Sequence, residues 1–402
     1  MYSKKKVALA VLITFILTTV LYTAAYTVIP SFGSMLGDVR SVLDKSDNAA
    51  LTSKIREINR YIDGYYIYDC NKDEMADLAL TGYTAGLNDV YSEYISKTDY
   101  GDMMEELSGD YKGIGVEVFV DTDNLITILN AFEDAPAAKA GITAGDKITA
   151  VNGTKVNKDN YNDAINMMKG AGKYADNSDE LALTVKRGDK EFEAKVTRAE
   201  VVNHTVKTKM LQNKIGYIRI SQFDEATGDD FKSLSAQLLA DGAKSFIIDL
   251  RNNPGGMLTS VVSVADTLLP EGKIITIKDK QGKETVYRSD KEEIDIPMCV
   301  LINGSSASAS EVLAGAMRDH KKATLIGEKS YGKGVVQTIF NLSDGSALKL
   351  TTSEYFTPSG ESIHKKGITP DHVVKLDSDK NIFALDESED VQLQKAVEIL
   401  SK

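Results

Sequence analysis

The sequence predicts an α/β protein with a smaller α+β domain and a helical region in front of its main body, and three observations lead there. Residues 201–375 alternate apolar strand-like runs with helical segments, the order that builds a sheet covered by helices. Residues 111–198 read instead as short strands and turns around two short helices. Residues 51–107 read as helical, with Ile55, Ile58 and Ile62 at spacings of three and four.

The chain has 402 residues, room for two or three domains, and its 42% apolar and 26% charged content is that of a globular protein. A net charge of -12 without a basic cluster argues against a nucleic-acid partner. Cys70 and Cys299 are too few for a disulfide framework, and His204, His320, His364 and His372 are too scattered for a metal site, so no metal or other cofactor is expected.

The N-terminus differs in kind. After Lys4-Lys5-Lys6, the stretch Val7 to Ile29 carries no charge, long enough to cross a hydrocarbon layer of about 30 Å as a helix. The lysines would stay cytoplasmic. The expectation is a single-pass cell-membrane anchor with the remaining chain extracytoplasmic. A cleaved signal peptide cut near Ala25 is the alternative, but the stretch exceeds the roughly 7–15 apolar residues usual there.

The chain divides into residues 1–30 (basic tip and anchor), 31–110 (spacer and helical region), 111–198, 199–375 and 376–402, a helical tail. The helical region either packs on the body or pairs with a second copy, and the amphipathic segment Glu387 to Leu400 either docks or dimerises. A homodimer or higher oligomer stays open. Within 111–198, Gly113-Ile114-Gly115-Val116 leads into a strand, Ala135 to Ile142 is a small-residue helix, and Ala144-Gly145-Asp146-Lys147-Ile148 follows. This order resembles a PDZ domain. The resemblance implies that Gly113 to Val116 offers backbone N–H groups to a peptide's terminal carboxylate, while the next strand edge pairs with the peptide. Glycines allow that close approach. The helix Asn160 to Lys169 would wall the groove with Ala164, Ile165, Met167 and Met168, some of which must also serve the core.

In the body, the strand Ser245 to Leu250 runs into Arg251-Asn252-Asn253-Pro254-Gly255-Gly256 and then a helix, a connection that leaves N–H groups available to an anion. A second strand, Pro297 to Ile302, leads through the turn Asn303 to Ser306 into a helix opened by Ser308-x-x-Glu311. Alone, that pair is a capping box. Gly332 to Phe340 reads as a strand entered through a glycine loop, and alternation would place Lys333, Val335 and Gln337 on one face.

Taken in order, the PDZ-like segment, Asp249-Leu250-Arg251 with Asn253-Pro254-Gly255-Gly256, Ala307-Ser308-Ala309-Ser310-Glu311 and Gly332-Lys333-Gly334 with Gln337 resemble the carboxyl-terminal processing (tail-specific) serine peptidases. The likeness spans roughly residues 85–375, and Tyr91-Ser92-Glu93-Tyr94, Tyr355 to Gly360 and Gly367 to Pro370 add to it. It implies a crotonase/ClpP-like α/β protease core that cuts exported proteins at or near their C-terminal ends without ATP, and that engages protein substrates through their tails. It places the nucleophile at Ser308 and the general base at Lys333, with Ser305, Ser306 and Ser310 as bystanders. A lysine is charged below its ordinary pKa of about 10.4, but burial can lower that by up to roughly 3–5 units and free the amine to take the serine proton. Gln337 would aim the amine without adding charge.

The oxyanion needs two donors: Ala309 N–H and an N–H of Gly255 or Gly256, the choice between the glycines staying open. A histidine triad using His320 is the rival, about three turns along the helix from Ser308. Arg187, on the last PDZ strands, is expected to couple the groove to the catalytic segment, with a solvated strand arginine as the simpler account. The alternative function is a PDZ scaffold with an inactive body, which gives no reason for Ser308, Lys333 and Gln337 to occur together. A crotonase-type enzyme is a third option, without a recognisable coenzyme A site.

Overall fold

The computed structural model describes residues 48–402 apart from short interruptions at 109, 122–123, 133, 171–173, 175–177, 203, 377–381 and 383–384. The expected anchor, Val7 to Ile29, lies outside the described residues. Among the described residues no helix is long and apolar enough to cross a membrane.

The chain separates into two units, divided between Met75 and Ala76. The first holds the helix Asn48–Tyr65, which is solvent-exposed along nearly its whole length. The helix Lys72–Ala85 begins in that unit and ends in the second. The helical expectation for 51–107 is corrected in one place. After the helix ends, Glu93–Ile95 is a strand, paired antiparallel with Ala347–Phe356, and only then does the helix Lys97–Ser108 follow. Burial decides this. Tyr94 and Ile95 go into the body, and Ser92 Oγ accepts the Thr351 N–H at 2.9 Å.

The PDZ-like segment forms its own antiparallel sheet in the order Val116–Val120, Ile126–Ala131, Lys147–Val151, Glu180–Arg187, Lys190–Thr197. Ile126, Ile148, Val151, Leu183 and Val185 fill its core. The helix Tyr161–Lys169 turns Ala164 and Met168 inward. Asp110–Gly113 pairs with Ala199–Val202, so the chain enters and leaves this domain through a two-stranded neck.

The body has two sheets. One runs Val206–Met210, Ile215–Ile220, Ser245–Asp249, Met298–Ile302, Ala323–Gly327, His372–Val373, with the first pair antiparallel and the rest parallel. Its central strands are continuously buried because helices cover both faces. Strand alternation divides their side chains: Phe246, Ile248 and Val300 pack with Phe231, Val261 and Leu313, while Ile247, Cys299 and Leu301 meet Leu393 and Ala396. The tail helix Val391–Leu400 therefore docks on this sheet. Burial pushes the Cys299 thiol up to about 12, leaving it an inert core residue. The second sheet is antiparallel and centres on Ala347–Phe356, which pairs with Glu93–Ile95, Gly272–Asp279 and Val335–Asn341.

Candidate active site

Ser308 stands immediately before the helix Ala309–Asp319 with φ 54° and ψ -115°, a backbone conformation that a residue with a Cβ adopts at a cost. Neighbouring groups hold it there. Its N–H donates to Glu311 Oε2 at 3.0 Å, and the Tyr355 hydroxyl lies 3.1 Å from its carbonyl oxygen. The serines around it are committed elsewhere. Ser306 and Ser310 are buried and donate to the carbonyls of Leu250 and Asn253 at 2.8 and 3.0 Å. Ser305 sits out in the turn, and Ser308 keeps partial access to solvent.

The Gly-Gly turn lies directly against this serine. A Cβ on Gly255 (φ 106°) would fall 2.7 Å from Ser308 Cβ and 2.9 Å from Ala309 N, so only glycine brings the turn this close. The Gly255 N–H is already bonded to Asn253 Oδ1 at 2.8 Å. Among the described residues, the N–H groups of Gly256 and Ala309 have no such partner. Of the two glycines, Gly256 is the one with a donor to spare.

Lys333 is carried by a second glycine loop. A Cβ on Gly332 or Gly334 would press on the backbone of Gly367 or His364, at 2.9 and 2.6 Å, which fits the tight loop read from the sequence. The loop is tied to the serine by two shared partners. Glu311 Oε2 accepts the Lys333 N–H at 2.8 Å as well as that of Ser308, and Glu311 Oε1 accepts from Ser330 Oγ and the Gly332 N–H at 2.5 and 2.7 Å. Tyr355 Oη lies 2.5 Å from the Lys333 carbonyl and 3.1 Å from that of Ser308. Burial raises the Glu311 pKa, against the pull of these four donors.

The single-face reading of Lys333, Val335 and Gln337 needs correction. The strand begins at Val335, leaving Lys333 in the loop, and a bulge falls between Val336 and Gln337, so simple alternation does not run through the segment. Gln337 Nε2 donates to Thr351 Oγ1 at 3.2 Å. The Lys333 ammonium lies 4.9 Å from the centre of the Tyr91 ring. Its pKa is lowered, first by desolvation and then by Lys349, while Asp89 and Glu93 pull the other way. Among the described residues no hydrogen bond joins Lys333 Nζ to Ser308 or to Gln337. The two backbones are thus in register while the amine rests on an aromatic face.

Other expectations resolve as follows. His320 sits at the far end of the Ser308 helix with its ring on the Lys273 carbonyl at 2.7 Å. His364 is the histidine near the lysine, its ring 6.4 Å from that of Tyr91. Arg187 gives two hydrogen bonds to buried Asp146, at 2.6 and 2.7 Å, and one to the Gly141 carbonyl at 2.6 Å, bracing a turn of its own domain. In the Gly113–Val116 loop, the carbonyls of Ile114 and Gly115 accept from Ala137 and Phe132 at 2.8 and 2.9 Å. The Ile114 and Gly115 N–H groups have no partner among the described residues. They border a cavity of about 620 Å³ lined by Val116, Ile165 and Met168 on the PDZ-like side and by Lys207, Arg219 and Ser221 of the body.

Sequence reasoning took Glu311 for a cap and gave Tyr91 and Tyr355 no role. Their function shows only once the chain is folded, because each acts on a segment far away in sequence. Glu311→Gln is expected to slow catalysis and lower the thermal midpoint together. One amide oxygen cannot accept from all four donors, and each buried group left unpaired costs about 1–3 kcal/mol. Unchanged turnover and midpoint would show that the carboxylate does not position the pair.

A serine at a helix start, pressed on a Gly-Gly turn and bound through common partners to a lysine of lowered pKa, lies on an α/β body with a PDZ-like partner domain, an arrangement chemically suited to nucleophilic attack by serine. Comparison with known proteins agrees. Peptidase family S41 matches residues 214–374 and the PDZ domain family matches 113–197. A "Carboxy-terminal-processing protease" of Bartonella bacilliformis is 38% identical over 320 residues, covering 77% of this chain and 72% of that one. A "Probable CtpA-like serine protease" of Staphylococcus aureus is 35% identical over 373 residues, covering 92% and 73%. Among solved structures, a photosystem II D1 C-terminal processing protease superposes with a TM-score of 0.50 at 29% identity, over 83% of this chain and 89% of that one. The chain belongs to peptidase family S41 and is a serine peptidase.

Proposed function

We propose that this chain is a membrane-anchored, ATP-independent endopeptidase that cuts exported proteins at or near their C-terminal ends through a Ser308–Lys333 dyad. The observation that carries the reading is the shared hold of Glu311 and Tyr355 on the Ser308 and Lys333 backbones. The names of the relatives support the tail preference. In the mechanism, the Lys333 side chain swings from Tyr91 to Ser308, and Gln337 leaves Thr351 to aim it. The neutral amine takes the hydroxyl proton as Oγ bonds to the scissile carbonyl carbon. The N–H groups of Ala309 and Gly256 hold the oxyanion. The lysine then returns the proton to the departing amine as the C–N bond breaks, and water hydrolyses the ester by the same route. The PDZ domain selects the substrate by its terminal carboxylate.

The test is digestion of an unfolded reporter by the purified full-length chain, without nucleotide, with the reporter's C-terminus either free or amidated. Cleavage favouring the free terminus is expected, and a requirement for ATP would sink the reading. Because the lysine must be neutral, the rate is expected to rise with pH through its lowered pKa, below the ordinary lysine range. A flat pH profile would remove Lys333 as the base. The anchor predicts that the chain stays with membranes after an alkaline carbonate wash, and release into the supernatant would contradict it.

A further inference from the structure

The cavity beside the Ile114–Gly115 loop has a charge arrangement that the proposed reaction does not use. Its body-side wall is the strand Val206–Met210, which carries Lys207 and Lys209. Two of the lysines here have acidic partners: Lys209 pairs with Glu387 at 2.6 Å and Lys112 with Asp179 at 2.8 Å. Lys207 does not. Among the described residues it forms no hydrogen bond or ion pair, and its ammonium stands 5.7 Å from the centre of the Phe132 ring. Phe132 is also the residue whose N–H holds the Gly115 carbonyl, so the residue beside the ammonium is bonded to the loop that carries the unpartnered N–H groups.

Lys207 is exposed at the cavity wall. Its pKa is lowered, first by desolvation, with Glu117 opposing that shift and Arg219 adding to it. Glu117, Asp102 and Glu105 share the lining, but none of them forms an ion pair with Lys207 among the described residues, so an anion entering the cavity would meet a lysine not held by an acid and two backbone donors together.

We propose that Lys207 is the counter-charge for the terminal carboxylate of a polypeptide tail seated on the Ile114–Gly115 loop, so that a bound tail bridges the PDZ domain and the protease body. The proposal rests on the tail-recognition reading and adds to it a residue from outside the PDZ domain. An occupied groove would then be tied to the body by charge, and an amidated tail would not make that tie.

The experiment measures binding of a fluorescent ten-residue apolar peptide, as free acid and as C-terminal amide, to the full-length chain carrying Ser308→Ala to prevent turnover. The same pair is measured with Lys207→Met and with Lys207→Arg added. The starting protein is expected to favour the acid by roughly tenfold or more, the strength of a charge-assisted hydrogen bond. Lys207→Met is expected to lose most of that ratio while binding the amide as before, and Lys207→Arg to keep it. An unchanged acid-to-amide ratio in Lys207→Met overturns the proposal and leaves tail recognition standing. No preference in the starting protein overturns both.

Discussion

Ser308→Ala is expected to abolish peptide-bond cleavage, a loss of roughly a thousandfold or more, while leaving the thermal midpoint nearly unchanged. Alanine keeps the Cβ that packs against Gly255, and the Glu311 and Tyr355 bonds to residue 308 go to its backbone, not its side chain. No nearby serine can take over, since the Ser306 and Ser310 hydroxyls are buried and bonded to the Leu250 and Asn253 carbonyls. Lys333→Ala is expected to cost as much for a different reason: the serine keeps its place and loses its proton acceptor. Lys333→Arg should not rescue it, because a guanidinium stays charged at any working pH. Two groups acting as one unit are not additive, so the double variant should be no slower than either single one. Cleavage of an unfolded reporter, followed by gel and by mass of the products, checks all four proteins. Activity retained in Ser308→Ala would place the nucleophile elsewhere.

How far this site could be read from the sequence depended on whether its parts are local. The serine turn, the Gly-Gly connection and the glycine-flanked lysine are short segments whose spacing already announces tight backbone, and the structure puts them in contact through Gly255, Glu311 and Tyr355. The presence of a PDZ domain was legible for the same reason, because turns and alternating strands recur within about 85 residues. The strand Glu93–Ile95 was not, since its pairing partner lies in Ala347–Phe356 and nothing local distinguishes three residues of strand from a turn. Alternation failed at Gln337 because a bulge is decided by the partner strand and not by the strand itself. Tyr91 beneath the lysine and Lys207 beside the PDZ loop are contacts between distant segments, which periodicity does not register.

Arg251→Met is expected to be the most destabilising single change outside the hydrophobic core, by about 3–5 kcal/mol near neutral pH. The Asp249-Leu250-Arg251 stretch was read only as the approach to an anion-binding turn, yet Arg251 is what fastens the C-terminal helix to the sheet. Its Nε and Nη2 donate to Asp249, and Nη2 and Nη1 donate to Asp390 at 2.8 and 2.9 Å. Asp390 in turn caps the helix Val391–Leu400 through the N–H groups of Gln392 and Leu393. Arg251 and Asp249 are almost wholly inaccessible to solvent, at 2% and 0%. Burial alone would push the Asp249 carboxyl upward, and the neighbouring guanidinium outweighs it and holds the pKa below the usual range. Methionine fills much of the space but leaves the buried Asp249 and Asp390 carboxylates without the guanidinium that hydrogen-bonds them both. The sign with pH follows. In the unaltered protein the depressed Asp249 pKa gives stability that is present above the unfolded carboxylate value of about 3.9 and is lost as pH falls through the folded one. In Arg251→Met the folded pKa rises instead, so that chain loses stability as pH increases through it. The gap between the two proteins should therefore be widest near pH 7 and narrow toward pH 4, as measured by urea unfolding at each pH. Release of the helix would also uncover the Ile247, Cys299 and Leu301 face, so the variant's unfolding should begin with dye binding to exposed apolar surface. A gap of equal size at both pH values would mean that lost packing, and not the stranded carboxylates, sets the cost.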